Sequence, residues 1–399
     1  MLRNKTIVLG VTGGIAAYKA LELSSRLVRA GADVKVIMTK SAIEFVSPLS
    51  FASITKNQVV TDMFDMPDKW DIKHISLAKA ADVFVIAPCT ANVIGKIAGG
   101  IADDMLTTTV MATNAPVLIA PAMNTNMFEN PIVQDNIKKL MSYDGYSFVM
   151  PSEGRLACGD IGRGKLADVR DIFDGICRAT SVSDLKNKKI VISAGATCES
   201  LDPVRFITNH SSGKMGFSIA KAAYFRGADV TLVAGRNTCR KISGVKQINI
   251  LSAEEMRAAV LTESADADII IMSAAVSDYR PATASDEKIK KSENAMTLKL
   301  VKNPDILKEL GEKYGDTKQV IGFAMETQNL IENAQKKCSE KNAAFIVANN
   351  LKTDGAGFGT ETNIASIIDK NGSVTNLQKM TKLELANIIL DRAVKNLNN

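Results

Sequence analysis

Ile7-Val-Leu-Gly-Val11, then Thr12-Gly13-Gly14, then an alanine- and leucine-rich segment, then Gly31-Ala-Asp-Val-Lys-Val-Ile-Met38 is the stretch on which the fold turns. A β-branched run ended by two glycines reads as a buried strand and a tight turn. The helical segment after it carries the chain to a second strand, so the unit is βαβ. The outline returns later: Lys189 to Ala194 is strand-like, residues 213–226 are helical, and Gly227-Ala-Asp-Val-Thr-Leu-Val233 is strand again. Further apolar runs stand at residues 83–87 and 117–120, and at 269–273, 320–324 and 345–348. Near-continuous apolar strands belong to parallel sheets covered on both faces. The expected class is α/β, with two doubly wound Rossmann-like domains and mainly parallel sheets.

Between the halves, Ala179-Thr-Ser-Val-Ser-Asp-Leu-Lys-Asn-Lys-Lys189 is polar and lacks apolar periodicity, which places the boundary near residue 183 and gives domains 1–183 and 184–399. A chain of 399 residues with 46% hydrophobic and 23% charged side chains has ample material for two or three cores. Residues 1–183 carry 19 basic and 18 acidic side chains, so most of the net charge of +6 lies in the second half. That excess suits an anionic small molecule. No basic run with interleaved aromatics suggests a nucleic-acid groove. The six cysteines (Cys89, Cys158, Cys177, Cys198, Cys239 and Cys338) have no C-x-x-C spacing, and the N-terminus enters a strand directly, so a cytoplasmic protein is expected. Residues 105–128 are uncharged, but five Thr, three Asn and two Pro argue against a membrane span.

Gly13-Gly14 before a helix can present backbone N–H groups to a phosphate, although a tight turn alone explains two glycines. Three segments fall in loops after predicted strands: Ala87-Pro-Cys-Thr-Ala-Asn92, Pro121-Ala-Met-Asn-Thr-Asn-Met127 and Gly154-Arg-Leu-Ala-Cys-Gly-Asp160. With Gly13-Gly-Ile-Ala-Ala-Tyr-Lys19 and His74-Ile-Ser-Leu77, they resemble the flavin-containing cysteine decarboxylase family over most of residues 1–180. The resemblance implies a flavodoxin-like domain that binds FMN, with Gly13 and Gly14 near its phosphate and Thr39, Thr90 and Asn92 as further holders. It also implies that His74 assists proton movements, Asn124 holds the substrate carboxylate, and Cys158, in a Gly-rich flap, donates a proton. Phe128 departs from the Trp or Tyr common in that family. The chemistry follows from a need for an electron sink. Oxidation of a substrate thiol to a thioaldehyde places an acceptor β to the carboxylate, carbon dioxide leaves, and the reduced flavin returns its electrons.

In the second half, Ser193-Ala-Gly-Ala-Thr197, Asp202-Pro-Val-Arg-Phe-Ile-Thr-Asn-His-Ser-Ser-Gly-Lys-Met-Gly216, Ala274-Ala-Val-Ser-Asp-Tyr-Arg280, Lys288-Ile-Lys-Lys291 and Lys302-Asn-Pro-Asp-Ile306 stand in order. Gly322-Phe-Ala-Met-Glu326 and Lys341-Asn-Ala-Ala-Phe-Ile-Val-Ala-Asn349 follow. The set resembles the bacterial phosphopantothenate–cysteine ligase family; Gly213-Lys214 lacks the spacing of a P-loop. Ala196 and Asn350 depart from the family pattern. The resemblance implies that Asp278, Lys288, Phe323, Lys337 and Lys341 contact CTP, that Pro304, Asp305, Ile306 and Leu307 border it, and that Asn209 and Arg205 face phosphopantothenate. Mg²⁺ would bridge triphosphate oxygens, its protein ligands left unassigned. An acyl-cytidylate turns a poor leaving group into CMP, which cysteine nitrogen displaces. Together the halves imply a bifunctional enzyme of coenzyme A synthesis acting on 4′-phosphopantothenate, cysteine, CTP and 4′-phosphopantothenoylcysteine. It would be a homo-oligomer built from trimers and dimers, with no nucleic-acid or membrane partner. Two alternatives are a different flavin decarboxylase or prenyltransferase fused to a Rossmann-like domain, and a non-enzymatic flavoprotein regulator.

Overall fold

The computed structural model describes residues 2–64, 72–156, 159–290, 296–326, 330–350 and 360–397. They fall into two units, Met1–Ser181 and Val182–Asn399. In the first, β1 (Thr6–Val11), β2 (Asp33–Met38), β3 (Val83–Cys89), β4 (Val117–Pro121) and β5 (Tyr146–Phe148) form one parallel sheet in the order β2-β1-β3-β4-β5. Successive side chains of a strand point to opposite faces, so a strand apolar at every position must be covered twice. β3 is buried along all seven residues. Phe84 and Ile86 pack with Val8, Ile119 and side chains of helices Ala91–Gly99 and Met105–Ala112, while Val85 is sealed with no exposure. A short antiparallel hairpin, β6 (Ser152–Arg155) and β7 (Ile161–Lys165), stands apart from the sheet.

In the second unit the chain runs through β8 (Lys189–Ala194), β9 (Cys198–Ser200), β10 (Phe206–Thr208), β11 (Asp229–Ala234), β12 (Lys246–Asn249), β13 (Ile269–Met272), β14 (Tyr279–Pro281) and β15 (Leu300–Lys302). It continues through β16 (Gln319–Glu326), β17 (Phe345–Asn350), β18 (Thr362–Asn363), β19 (Ala365–Asp369), β20 (Val374–Asn376) and β21 (Met380–Thr381). The main sheet has the order β12-β11-β8-β13-β16-β17-β19-β20, parallel as far as β17 and antiparallel beyond it. β8 explains the layers. Ile190 and Ile192 face helices Lys214–Phe225 and Lys382–Leu397, packing with Ile219, Ala223, Leu385 and Ile389. Val191 faces the other way, toward Met256 and Val260 of helix Ala253–Glu263. Each such fully buried aliphatic side chain contributes about 1.5–3 kcal/mol relative to exposure.

Both sheets therefore have doubly wound topology. The antiparallel β19 and β20 add an edge that the apolar runs of the sequence do not announce. Among the described residues no helix is long and apolar enough to cross a membrane.

Candidate functional site

In a doubly wound sheet, neighbouring strands whose connections leave in opposite directions open a crevice at their carboxyl ends. The first unit has that point between β1 and β3, and the second between β8 and β13.

At the first crevice, Thr12 joins the two loops. Its hydroxyl donates to the Pro88 carbonyl at 2.8 Å and accepts the Thr90 N–H at 3.0 Å. Gly13 and Gly14 differ. A Cβ on Gly13 would lie 2.3 Å from Ser41 Cβ and 2.9 Å from its carbonyl oxygen, so glycine is demanded there by the backbone's approach to Ser41. A Cβ on Gly14 would meet nothing nearer than the Thr90 methyl at 4.0 Å. Thr90 precedes helix Ala91–Gly99 and makes no side-chain cap, which leaves the first-turn N–H groups without that partner. Thr39 caps its own short helix, accepting from Ala42 N–H at 3.3 Å, and its N–H donates to the Val11 carbonyl. Asn92 is exposed on the first turn of helix Ala91–Gly99. The open face at Gly14 and the uncapped helix start fit a phosphate-bearing flavin.

His74 lies half-buried on the first turn of helix Lys73–Ala80, whose other members Leu77 and Ala78 are buried. Asn124 caps helix Thr125–Glu129: its Oδ1 accepts from Asn126 N–H at 2.9 Å. The cap commits the oxygen and leaves the amide nitrogen, a donor, to meet a carboxylate. Here Nδ2 donates to Asp160 Oδ2 at 3.3 Å. The hairpin is tied to the same loop, since Met123 N–H donates to the Gly164 carbonyl at 2.9 Å. Cys158 lies outside the described residues.

At the second crevice a cavity of about 650 Å³ is lined by Asp278, Pro304, Asp305, Ile306, Leu307, Phe323, Lys337 and Lys341. An adjoining cavity of about 500 Å³ is lined by Asn209, by residues 210–216 and by Asn349, and shares Asp278, Phe323 and Lys337 with the first. Asp305 caps helix Ile306–Tyr314, accepting from Lys308 N–H, and pairs with the Lys341 ammonium. Burial pushes the Lys341 amine below the usual lysine range, with Asp278 pulling the other way. Lys337 donates to the Phe323 carbonyl at 2.8 Å. Asn209 Nδ2 donates to the Ala275 and Val276 carbonyls at 3.3 and 3.2 Å, just beyond β13.

Two expected residues stand elsewhere. Arg205 and Lys288 line neither cavity. The Arg205 guanidinium is engaged by Asp202, and Lys288 is exposed beside Ile289. Sequence reasoning overlooked Thr12, although it directly precedes the glycines. It also overlooked Asn303, whose amide donates to the Ser277 carbonyl at 2.8 Å and whose N–H donates to the Asp278 carbonyl. Asn303 thus joins two loops of the cavity wall, and its only signal was its place in Lys302-Asn-Pro-Asp-Ile306. Among the described residues no group of three or more His, Cys, Asp or Glu gathers as a metal site.

Residues 1–181 match the family model described as flavoprotein, and residues 185–397 match the DNA/pantothenate metabolism flavoprotein C-terminal domain. A Bacillus subtilis (strain 168) relative, the coenzyme A biosynthesis bifunctional protein CoaBC, is 49% identical over 395 residues, covering 98% of this chain and 97% of its own. The protein of that name from Haemophilus influenzae is 42% identical over 401 residues, covering 99% and 100%. The one from Escherichia coli K12 is 42% identical over 398 residues, covering 98% and 97%.

The chain belongs to the coenzyme A biosynthesis bifunctional protein family.

It is accordingly a bifunctional enzyme of coenzyme A synthesis, a decarboxylase joined to a ligase. The flavoprotein half carries the β1/β3 crevice, and the C-terminal half carries the two cavities beside β13 and β16.

Proposed function

We propose that the C-terminal half joins cysteine to 4′-phosphopantothenate through an acyl-cytidylate made from CTP, and that the N-terminal half decarboxylates 4′-phosphopantothenoylcysteine to 4′-phosphopantetheine with FMN. The observation that carries this reading is the gathering of Asp278, residues 304–307, Phe323, Lys337 and Lys341 around one cavity that adjoins a second one containing Asn209. Two connected cavities suit two ligands that must react with each other.

In the ligase half, a carboxylate oxygen of the acid attacks the α-phosphorus of CTP and pyrophosphate leaves. Cysteine nitrogen then attacks the acyl carbon, CMP leaves, and the nitrogen loses a proton. Lysine suits the first step because a compact ammonium offsets charge on departing phosphate oxygens, and Mg²⁺ enters with CTP as its phosphate complex. Lys337 and Lys341 line the nucleotide cavity together with Lys302 and Lys308, and Lys288, which lines neither cavity, would act on the phosphates from its loop. Asn209 holds the activated acid by directional hydrogen bonds, whereas Arg205, engaged by Asp202 and Ile289, would act on it only from outside both cavities.

In the decarboxylase half, Gly13, Gly14, Thr39, Thr90 and Asn92 would hold FMN, which supplies the two-electron sink that lets the carboxylate leave. Asn124 orients that carboxylate through Nδ2, His74 moves protons in the early stage, and Cys158 protonates the enethiolate. The free cysteines among the described residues suit a reducing cytoplasm. Exposed Phe45, Leu49 and Ile72 suit self-association of this half into trimers, with dimers formed by the other.

The test is to incubate the whole protein with 4′-phosphopantothenate, cysteine, CTP and Mg²⁺ and to weigh the products. 4′-Phosphopantetheine, CMP and pyrophosphate are expected. Equal turnover with ATP would refute the reading of the nucleotide, and accumulation of the cysteine adduct by FMN-loaded protein would refute the decarboxylase.

A further inference from the structure

Asp202 lies outside both cavities, and its side chain has no exposed surface (0%). One carboxylate oxygen accepts the N–H groups of Val204 and Arg205, each at 2.8 Å. That much is a local Asx turn. The other oxygen does something a turn does not need. It accepts Arg205 Nε at 2.9 Å and Ile289 N–H at 3.1 Å, while Arg205 Nη2 donates to the Ile289 carbonyl at 2.8 Å. Both hydrogen-bonding groups of the Ile289 backbone are thus held by one ion pair from a remote loop. A second tie lies four residues back, where Ser285 N–H donates to the Leu201 carbonyl at 2.9 Å.

Lys288 sits between these ties. Residues 282–284 and 286–288 are exposed, so apolar burial does not hold their segment. The Arg205 guanidinium also holds the Asp202 carboxyl far below the usual carboxylate range.

The geometry points to Asp202 as a positioning residue of the ligase half: with Arg205 it clips the peptide beside Lys288 and so sets where that ammonium meets the phosphates of the nucleotide. The inference rests on the reading of Lys288 as a residue of acyl-cytidylate formation. Asp202→Asn is the informative change because the amide oxygen still closes the turn, while the charge that grips Arg205 is gone. Arg205→Lys is its counterpart, retaining charge without the fork that reaches two groups.

The experiment uses the full-length, FMN-loaded protein and measures pyrophosphate release from CTP and phosphopantothenate without cysteine. Beside it run trypsin cleavage after Lys288 and Lys290 and the decarboxylation rate. Asp202→Asn and Arg205→Lys should each slow pyrophosphate release roughly ten- to a hundredfold, the scale expected for a misplaced catalytic group. Each should quicken cleavage severalfold and leave decarboxylation unchanged. In a Lys288→Gln background, Asp202→Asn should cost little more, because its effect passes through a lysine already removed. A Lys288→Gln protein with wild-type pyrophosphate release overturns the role of Lys288 itself. With that variant slow, the positioning role alone is overturned if Asp202→Asn leaves cleavage unchanged, or if the double variant loses the product of the two single effects.

Discussion

The two ends of the Asn124 amide have different duties, one capping a helix and the other facing a carboxylate, and substitution can part them. Aspartate caps helices as well as asparagine does but has no donor. Asn124→Asp should therefore keep the cap but lose the bond to Asp160 and face its carboxylate, lowering the thermal midpoint slightly at neutral pH while slowing carbon dioxide release roughly a hundredfold. Asn124→Ala should lose the cap as well, at about 1 kcal/mol, seen in a denaturant melt. Normal carbon dioxide release by the aspartate variant would remove Asn124 from the chemistry. The paired glycines separate in the same manner. Gly13→Ala drives a methyl into Ser41 and should lower stability, whereas Gly14→Ala enters open space and should fold normally but retain less flavin, read by absorbance of the purified protein. At this scale the residue types were legible and their contacts were not. The sequence places Gly13 and Gly14 together, and only the proximity of Ser41 distinguishes them. Arg205 reads as a substrate ligand, and nothing in the sequence announces that its guanidinium bonds to Asp202 and Ile289.

Among the elements, the C-terminal helix Lys382–Leu397 depends on a charged anchor. Arg226, at the end of helix Lys214–Phe225, grips Asp184 through Nε at 2.9 Å, donates to the Asn387 carbonyl and pairs with Asp391. Its side chain is largely buried, at 10% exposure, so removing Asp184 leaves a poorly solvated cation. Asp184→Asn should cost about 2 kcal/mol, between the values for exposed and buried pairs. The Arg226 hydrogen bonds hold the Asp184 carboxyl below its ordinary 3.8. A depressed carboxyl contributes stability that is complete above the unfolded value and fades as pH falls toward the folded one. The gap between wild type and Asp184→Asn in urea melts should therefore be steady from pH 7 to about 5 and shrink below 3.8. A gap that widens in acid would contradict the pairing. Most of the parallel strands were legible as apolar runs, as in Ile190–Ile192, whereas β5 and β12, reading Tyr-Ser-Phe and Lys-Gln-Ile-Asn, carry no such run and were missed. β19 and the helix after β21 were not singled out. Ala365-Ser-Ile-Ile-Asp369 is short, and its antiparallel pairing with β17 is a tertiary choice that no local pattern encodes.

For the whole molecule, the division into two compact units predicts that the two activities are separable. Residues 1–183 expressed alone should bind FMN and decarboxylate added 4′-phosphopantothenoylcysteine. Residues 184–399 should make that compound from CTP, cysteine and the acid. Folded fragments that are each inactive would overturn the division. The shared wall of the ligase cavities has a further bearing on inhibitor design. Asp278, Phe323 and Lys337 face both hollows, so a compound seated in one touches residues that shape the other, and the two apparent affinities will be thermodynamically linked. On the proposed assignment of the two cavities, a screen at low nucleotide should rank compounds differently from one at saturating nucleotide, and resistance substitutions at the partition should weaken both substrates at once.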